Sequence, residues 1–183
     1  MNGYLRLGTS HAPPAPPSAR GLDATDFSFV CTLAWADLEL LLLDPAVVAR
    51  SFGTVHAPAL STQALRVLEG VFRLLVPQED GSLRMVHQLV VEDRAGKRWF
   101  IDGYKTIDAA LGSGLWPDTT TLFFTLYEGR DASGPRIGHG AVQVELRDLL
   151  RQVSTMKGGR ARFLASFVDR MRRVYGNLFG ALG

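Results

Sequence analysis

The chain has 183 residues, 46% of them hydrophobic and 21% charged, the mix of one globular domain rather than of a disordered segment. A net charge of +2 is too small to mark a nucleic-acid binder. The longest apolar run, Leu38 to Leu43, is interrupted by Glu39 and stopped by Asp44-Pro45, far short of a membrane span. One cysteine, Cys31, excludes an internal disulfide and a cysteine-based metal site, and the N-terminus shows no basic segment followed by an apolar core. The expectation is a soluble cytoplasmic domain without a cofactor.

In chain order, residues 1–25 read as a flexible tail, because Pro13-Pro14-Ala15-Pro16-Pro17 locks φ and removes amide donors. From Phe27 onward turn signals recur at short intervals, the pattern of antiparallel strands. Strands are expected over Phe27 to Trp35, Phe52 to Ala57, Arg66 to Val76, Leu83 to Asp93, Arg98 to Ile107, Thr119 to Glu128 and Arg136 to Leu146. Asp37 is placed to cap a short helical stretch through Leu43, and Asp44-Pro45 to start another turn. Asp80-Gly81 and Arg94-Ala95-Gly96 are hairpin turns. The expected fold is mainly β: an antiparallel barrel or closed sandwich of about seven to eight strands over residues 26–157.

Residues 158–183 change period. Phe163, Phe167, Met171, Val174, Leu178 and Leu182 recur at helical spacing opposite Arg162, Arg170 and Arg173, predicting an amphipathic helix packed on the barrel. The last 27 residues hold six basic groups against Asp169, so a membrane-surface contact or a protein interface stands beside that packing role.

Pairing the hairpin about Asp80-Gly81 sets Leu74 opposite His87 and Phe72 opposite Leu89, leaving one apolar face with His87 embedded in it. The opposite face carries Glu69, Arg73, Gln88 and Glu92 and reads as the wetter surface. The next hairpin has two registers. One sets Tyr104 opposite His87 and buries Tyr104 and Asp102. The other, with a three-residue loop and Gly96 left-handed, sets Gly103 opposite His87, turns Lys105 inward beside Met85, and leaves Asp102 and Tyr104 outside. The second is favoured because it buries Trp99, Ile101 and Ile107.

His87, Lys105, Tyr104 and Asp118 are therefore the candidate acid/base groups if the domain is an enzyme. His87 as a hydrogen-bonded core residue and Lys105 as a rim residue covering apolar surface are the structural alternatives. Candidate ligand-binding residues are Trp116, Trp99, Thr119, Thr121 and Phe124, with Gly138 and Gly140 leaving inward space for a tryptophan or for a ligand. Trp116-Pro117-Asp118-Thr119 also reads as a structural corner into a strand. His11, His56, His87 and His139 are too scattered for a metal site, Gly112-Ser113-Gly114 is no dinucleotide fingerprint, and Cys31 sits in an apolar strand as packing.

The runs Phe52-Gly53-Thr54-Val55-His56-Ala57-Pro58, Asp102-Gly103-Tyr104-Lys105, Leu115-Trp116-Pro117-Asp118-Thr119-Thr120-Thr121 and Gly138-His139-Gly140 are similar to an accessory region of bacterial proteins related to cholesterol oxidases of the glucose–methanol–choline oxidoreductase group. The resemblance spans about residues 27–157 and implies proximity to sterol-like or other lipid substrates. It implies no flavin chemistry here, since the flavin domain is not in this chain, and no catalytic residues are carried over. The expected function is a module that binds an apolar small molecule or presents it to a partner enzyme. A barrel cyclase or isomerase, working by enclosure plus acid/base groups, is the alternative. A protein adaptor using the C-terminal helix is the third.

Overall fold

Alternation of apolar and polar residues, broken at Gly, Asp and Pro, folds this chain into a closed antiparallel barrel of eight strands. A computed structural model describes residues 1–8, 16–37, 40, 44, 47–79, 82–107, 121–143, 155, 157, 161 and 165. The strands are β1 (Asn2–Leu7), β2 (Thr25–Ala34), β3 (Ala49–His56), β4 (Leu65–Pro77), β5 (Leu83–Glu92), β6 (Arg98–Ile107), β7 (Thr121–Glu128) and β8 (Arg136–Gln143). Each pairs with its sequence neighbours and β1 pairs with β8, so no strand keeps an unpaired edge.

The expected tail over residues 1–25 is corrected at its start. Asn2–Leu7 is the strand that closes the barrel, with Tyr4 and Leu5 buried. Six residues with Gly3 among them and Gly8 after them give little periodic signal, and the strand is held by ladders to both β2 and β8. Pro17–Ala19 follows as one 3-10 turn, and Tyr4, Ala24, Ala141 and Phe123 pack together on the barrel's outer side. Asp37 accepts a hydrogen bond from the Leu40 amide at 3.2 Å, as the expected cap requires. Pro13 to Ala15, the Asp80-Gly81 turn and, apart from Ala161 and Ala165, the expected helix over 158–183 lie outside the described residues.

The three-residue turn between β5 and β6 has the anticipated form. Gly96 adopts φ +84°, and Asp93 accepts hydrogen bonds from the Ala95 and Lys97 amides, both at 2.9 Å. His87 consequently faces Gly103 and Met85 faces Lys105. Between β4 and β5 the expected register is two residues off: His87 faces Phe72, not Leu74, and Gly70 faces Leu89. Register shifts near Val67/Glu69 and Arg73/Val76 absorb the difference. A slip of two preserves the faces. Outside, Arg73 donates to Gln88 at 3.2 Å and Gln88 to Asp102 at 3.1 Å, and Glu92 takes ion pairs from Arg66 and Arg98.

Inside, Phe27, Leu65, Leu89, Val91, Trp99, Ile101, Leu122, Phe124, Leu126 and Val142 form one packed cluster. Phe27 stacks on Phe124 with ring centroids 4.4 Å apart and meets Phe29 edge-on at 6.5 Å. The inward glycines leave no vacancy. A Cβ at Gly140 would strike the Tyr4 carbonyl oxygen and the Phe124 ring, and one at Gly138 would lie 2.7 Å from the Arg6 carbonyl oxygen. Neither Trp99 nor a ligand fills that space: the β1 backbone and Phe124 do. Gly140→Val is expected to cost about 1–3 kcal/mol or more by forcing β1 and β7 off β8, read as a lower urea midpoint at unchanged slope. A midpoint equal to the wild type would mean that this contact is not tight.

Candidate functional site

Strand direction divides the barrel into two unlike ends. At the end carrying the turn between β5 and β6, Trp99 is only 2% exposed and packs with Leu65, Val91 and Leu126. Trp99 is therefore a core residue, corrected from its role as a ligand contact. Lys97 closes over its ring, with the ammonium 5.5 Å from the ring centroid.

Toward the opposite end the cover becomes uneven: Ala49, Ser51, Leu74, Leu83, Leu122 and Val142 stay buried, while other inward residues do not. On β2, burial falls from Phe27 and Phe29 to partly exposed Cys31 and Leu33, and on β5 and β6 from Leu89 and Ile101 to partly exposed Met85 and Lys105. His87 lies at the boundary, 8% exposed, with its ring 4.5 Å from Phe72 and 6.1 Å from Phe29. Its Nδ1 has no hydrogen-bond partner among the described residues, and neither does the buried Ser51 hydroxyl on β3. The connections from β2 to β3, from β4 to β5 and from β6 to β7 all leave the barrel at this end.

Burial sets the charge state of these groups. Desolvation, reinforced by the nearby Lys105 ammonium, lowers the His87 pKa to about 4, so the imidazole is neutral near pH 7. Desolvation also lowers the Lys105 amine to about 8. Lys105 has no ion pair among the described residues, and no described residue facing the lumen is a carboxylic acid. Burial pushes the Cys31 thiol up to about 11, leaving it a neutral packing group rather than a nucleophile.

Of the expected site residues, His87 and Lys105 are brought together and the others are not. Tyr104 stands on the outer surface, 36% exposed, under the Arg84 guanidinium at 4.8 Å and beside Phe123. This is the outward position given by the favoured register, and it takes Tyr104 off the list of lumen acid/base candidates. Thr121 is buried but shares the outward row with Phe123 and Thr125, since Leu122, Phe124 and Leu126 point in, so it is corrected. Phe124 is a core residue. Trp116, Asp118 and Thr119 lie outside the described residues, on the connection that joins β6 to β7 at the His87 end.

Phe72 and Met85, which the sequence set on the His87 face without naming them as site residues, complete the environment with Phe29 and Ser51. Phe29 and Phe72 follow from alternation once the register against His87 is known; Ser51 carries no signal of its own.

Among the described residues, no cluster of three or more His, Cys, Asp or Glu side chains is arranged to hold a metal ion, and no helix is long and apolar enough to cross a membrane. Comparison of the chain with protein-family models, with curated proteins and with solved structures returns no match.

Proposed function

We propose that this protein binds an apolar small molecule at the barrel end marked by His87 and Lys105, either as a carrier or as an accessory module serving a partner enzyme. The observation that carries the reading is His87 itself: a neutral, deeply buried imidazole between Phe29 and Phe72, with Nδ1 unpartnered among the described residues. An unmet polar atom among aromatic rings costs stability, and a ligand that supplies both apolar surface and a polar atom offsets that cost. The packed opposite end excludes a passage through the barrel, so the ligand enters and leaves at one mouth. The lipid-linked resemblance points to the same class of ligand. The single cysteine, a neutral thiol, suits a reducing cytoplasmic setting.

Decanol serves as a neutral probe. Saturating decanol is expected to raise the melting temperature, as any ligand of the native state must, and to leave a His87→Phe variant less stabilised. No shift across a panel of neutral apolar alcohols and sterols would contradict the proposal.

The same pair supports a second reading, a cyclase or isomerase. A neutral imidazole and an amine lowered to about 8 are an acid/base set beside apolar rings. Substituting His87 would then slow turnover of an enclosed substrate more than it weakens binding. Adaptor function through residues 158–183 rests on a segment outside the described residues.

A further inference from the structure

The proposed ligand can be specified further from the charges at the mouth, and this step rests on the binding reading above. A cation drawn into an apolar wall normally meets a carboxylate, because its desolvation is otherwise uncompensated. Here the inward row of β6 places Lys105 two residues beyond Gly103, opposite Met85 and on the same face as the buried Ile101. The inward groups at this end are Cys31 and Leu33 from β2, Ala49 and Ser51 from β3, Phe72 and Leu74 from β4, Leu83, Met85 and His87 from β5, Leu122 from β7 and Val142 from β8, with Met1 packed against the core. None is acidic. The acids of β4, β5 and β6 point outward, where Glu69 pairs with Arg130, Glu92 with Arg66 and Arg98, and Asp102 with Gln88. Lys105 is thus a positive charge in an apolar lumen whose described walls contain no counter-charge, beside a buried imidazole nitrogen that has no partner among the described residues either.

We propose that the mouth takes an apolar monocarboxylic acid, its carboxylate paired with the Lys105 ammonium and its hydrocarbon against Phe72, Met85 and the His87 ring. The carboxylate supplies a counter-ion that the described walls do not. Sterol alcohols and plain hydrocarbons satisfy the apolar wall but leave the cation unpaired. Discrimination therefore follows from the head group, and the chain or ring attached to it is secondary.

The test compares decanoate, decanol and decyltrimethylammonium for binding to the full chain by isothermal titration, in wild type, Lys105→Met and Lys105→Arg. Wild type is expected to bind decanoate roughly tenfold or more tighter than decanol, the advantage of a charge-assisted contact, and to bind the cationic amphiphile least. Lys105→Met loses the preference while still binding decanol; Lys105→Arg keeps most of it. Thermal melts of both variants establish that they are folded, and the arginine variant reports on charge if the methionine variant is not. Equal affinities for decanoate and decanol in wild type, or a preference that survives in Lys105→Met, would overturn the head-group assignment and leave apolar binding intact. Failure of all three amphiphiles to bind would overturn both.

Discussion

Trp99→Ala is expected to lower stability by about 3–5 kcal/mol, the cost of removing a large aromatic from a close-packed core. Trp99 is the largest side chain in the packed end, 2% exposed and enclosed by Leu65, Val91 and Leu126. For a domain of this size the loss corresponds to a fall in melting temperature of roughly 6–20 °C. Trp99→Phe fills part of the volume and loses less. Because the proposed site lies at the other end, Trp99→Phe should change decanol affinity by less than about twofold, as distant and independent sites do. If Trp99→Ala left stability unchanged and abolished ligand binding, Trp99 would be a ligand wall and the assignment of the two ends would be reversed.

Acid is expected to destabilise the barrel through one residue in particular. His87 titrates near 6.5 when unfolded and at about 4 in the barrel. Between those values the unfolded chain holds the proton that the native state refuses, so stability falls as pH drops from 6.5 toward 4, by roughly 3 kcal/mol at the limit. The Lys105 ammonium works in the same direction, and the described lumen offers no carboxylate to receive an imidazolium. Glu92 and Asp131 also lose favourable interactions on protonation, Glu92 chiefly its hydrogen bond from Arg98 and Asp131 that from Ser133. Their contribution is common to wild type and variant. Urea unfolding from pH 7 to pH 4 should therefore show a steeper loss in wild type than in His87→Phe, and the difference between the two curves isolates His87. Parallel curves would mean that the imidazole is hydrated, or that it finds an acceptor on protonation.

The sequence discloses the barrel more fully than it discloses the site. Alternation located seven strands because each presents an apolar row to one lumen, and glycine at position 96 selected the turn that brings Lys105 inside. The eighth strand, β1, was invisible because its stability comes from closure against β2 and β8, a nonlocal effect that six residues do not announce. The register of β4 against β5 was off by two, because register shifts within the pairing leave no pattern in the chain. Faces survived that error, so His87 was placed correctly even with the wrong neighbour opposite. Gly138 and Gly140 show the limit of reading space from missing side chains: glycines facing a lumen suggested room, but the β1 carbonyls and Phe124 occupy it. Tyr104 and Thr121 failed as lumen groups for a simpler reason, strand parity, and Tyr104 was already outside in the favoured register.

The two ends of the barrel differ in how evenly their inward residues are covered. Aromatic packing runs from Phe124 through Phe27 and Phe29 to His87 and Phe72, and beyond it Cys31, Leu33, Met85 and Lys105 are partly exposed while Leu83, Leu122 and Val142 are buried.

The most direct measurement is a nuclear magnetic resonance titration with decanoate, following the Met85 methyl, the His87 imidazole and the Trp99 indole together. The account predicts saturable shifts at Met85 and His87, with the Trp99 indole unmoved. Shifts confined to the exposed Val30 and Phe52 side chains on the outer wall, or a Trp99 response with His87 silent, would contradict it.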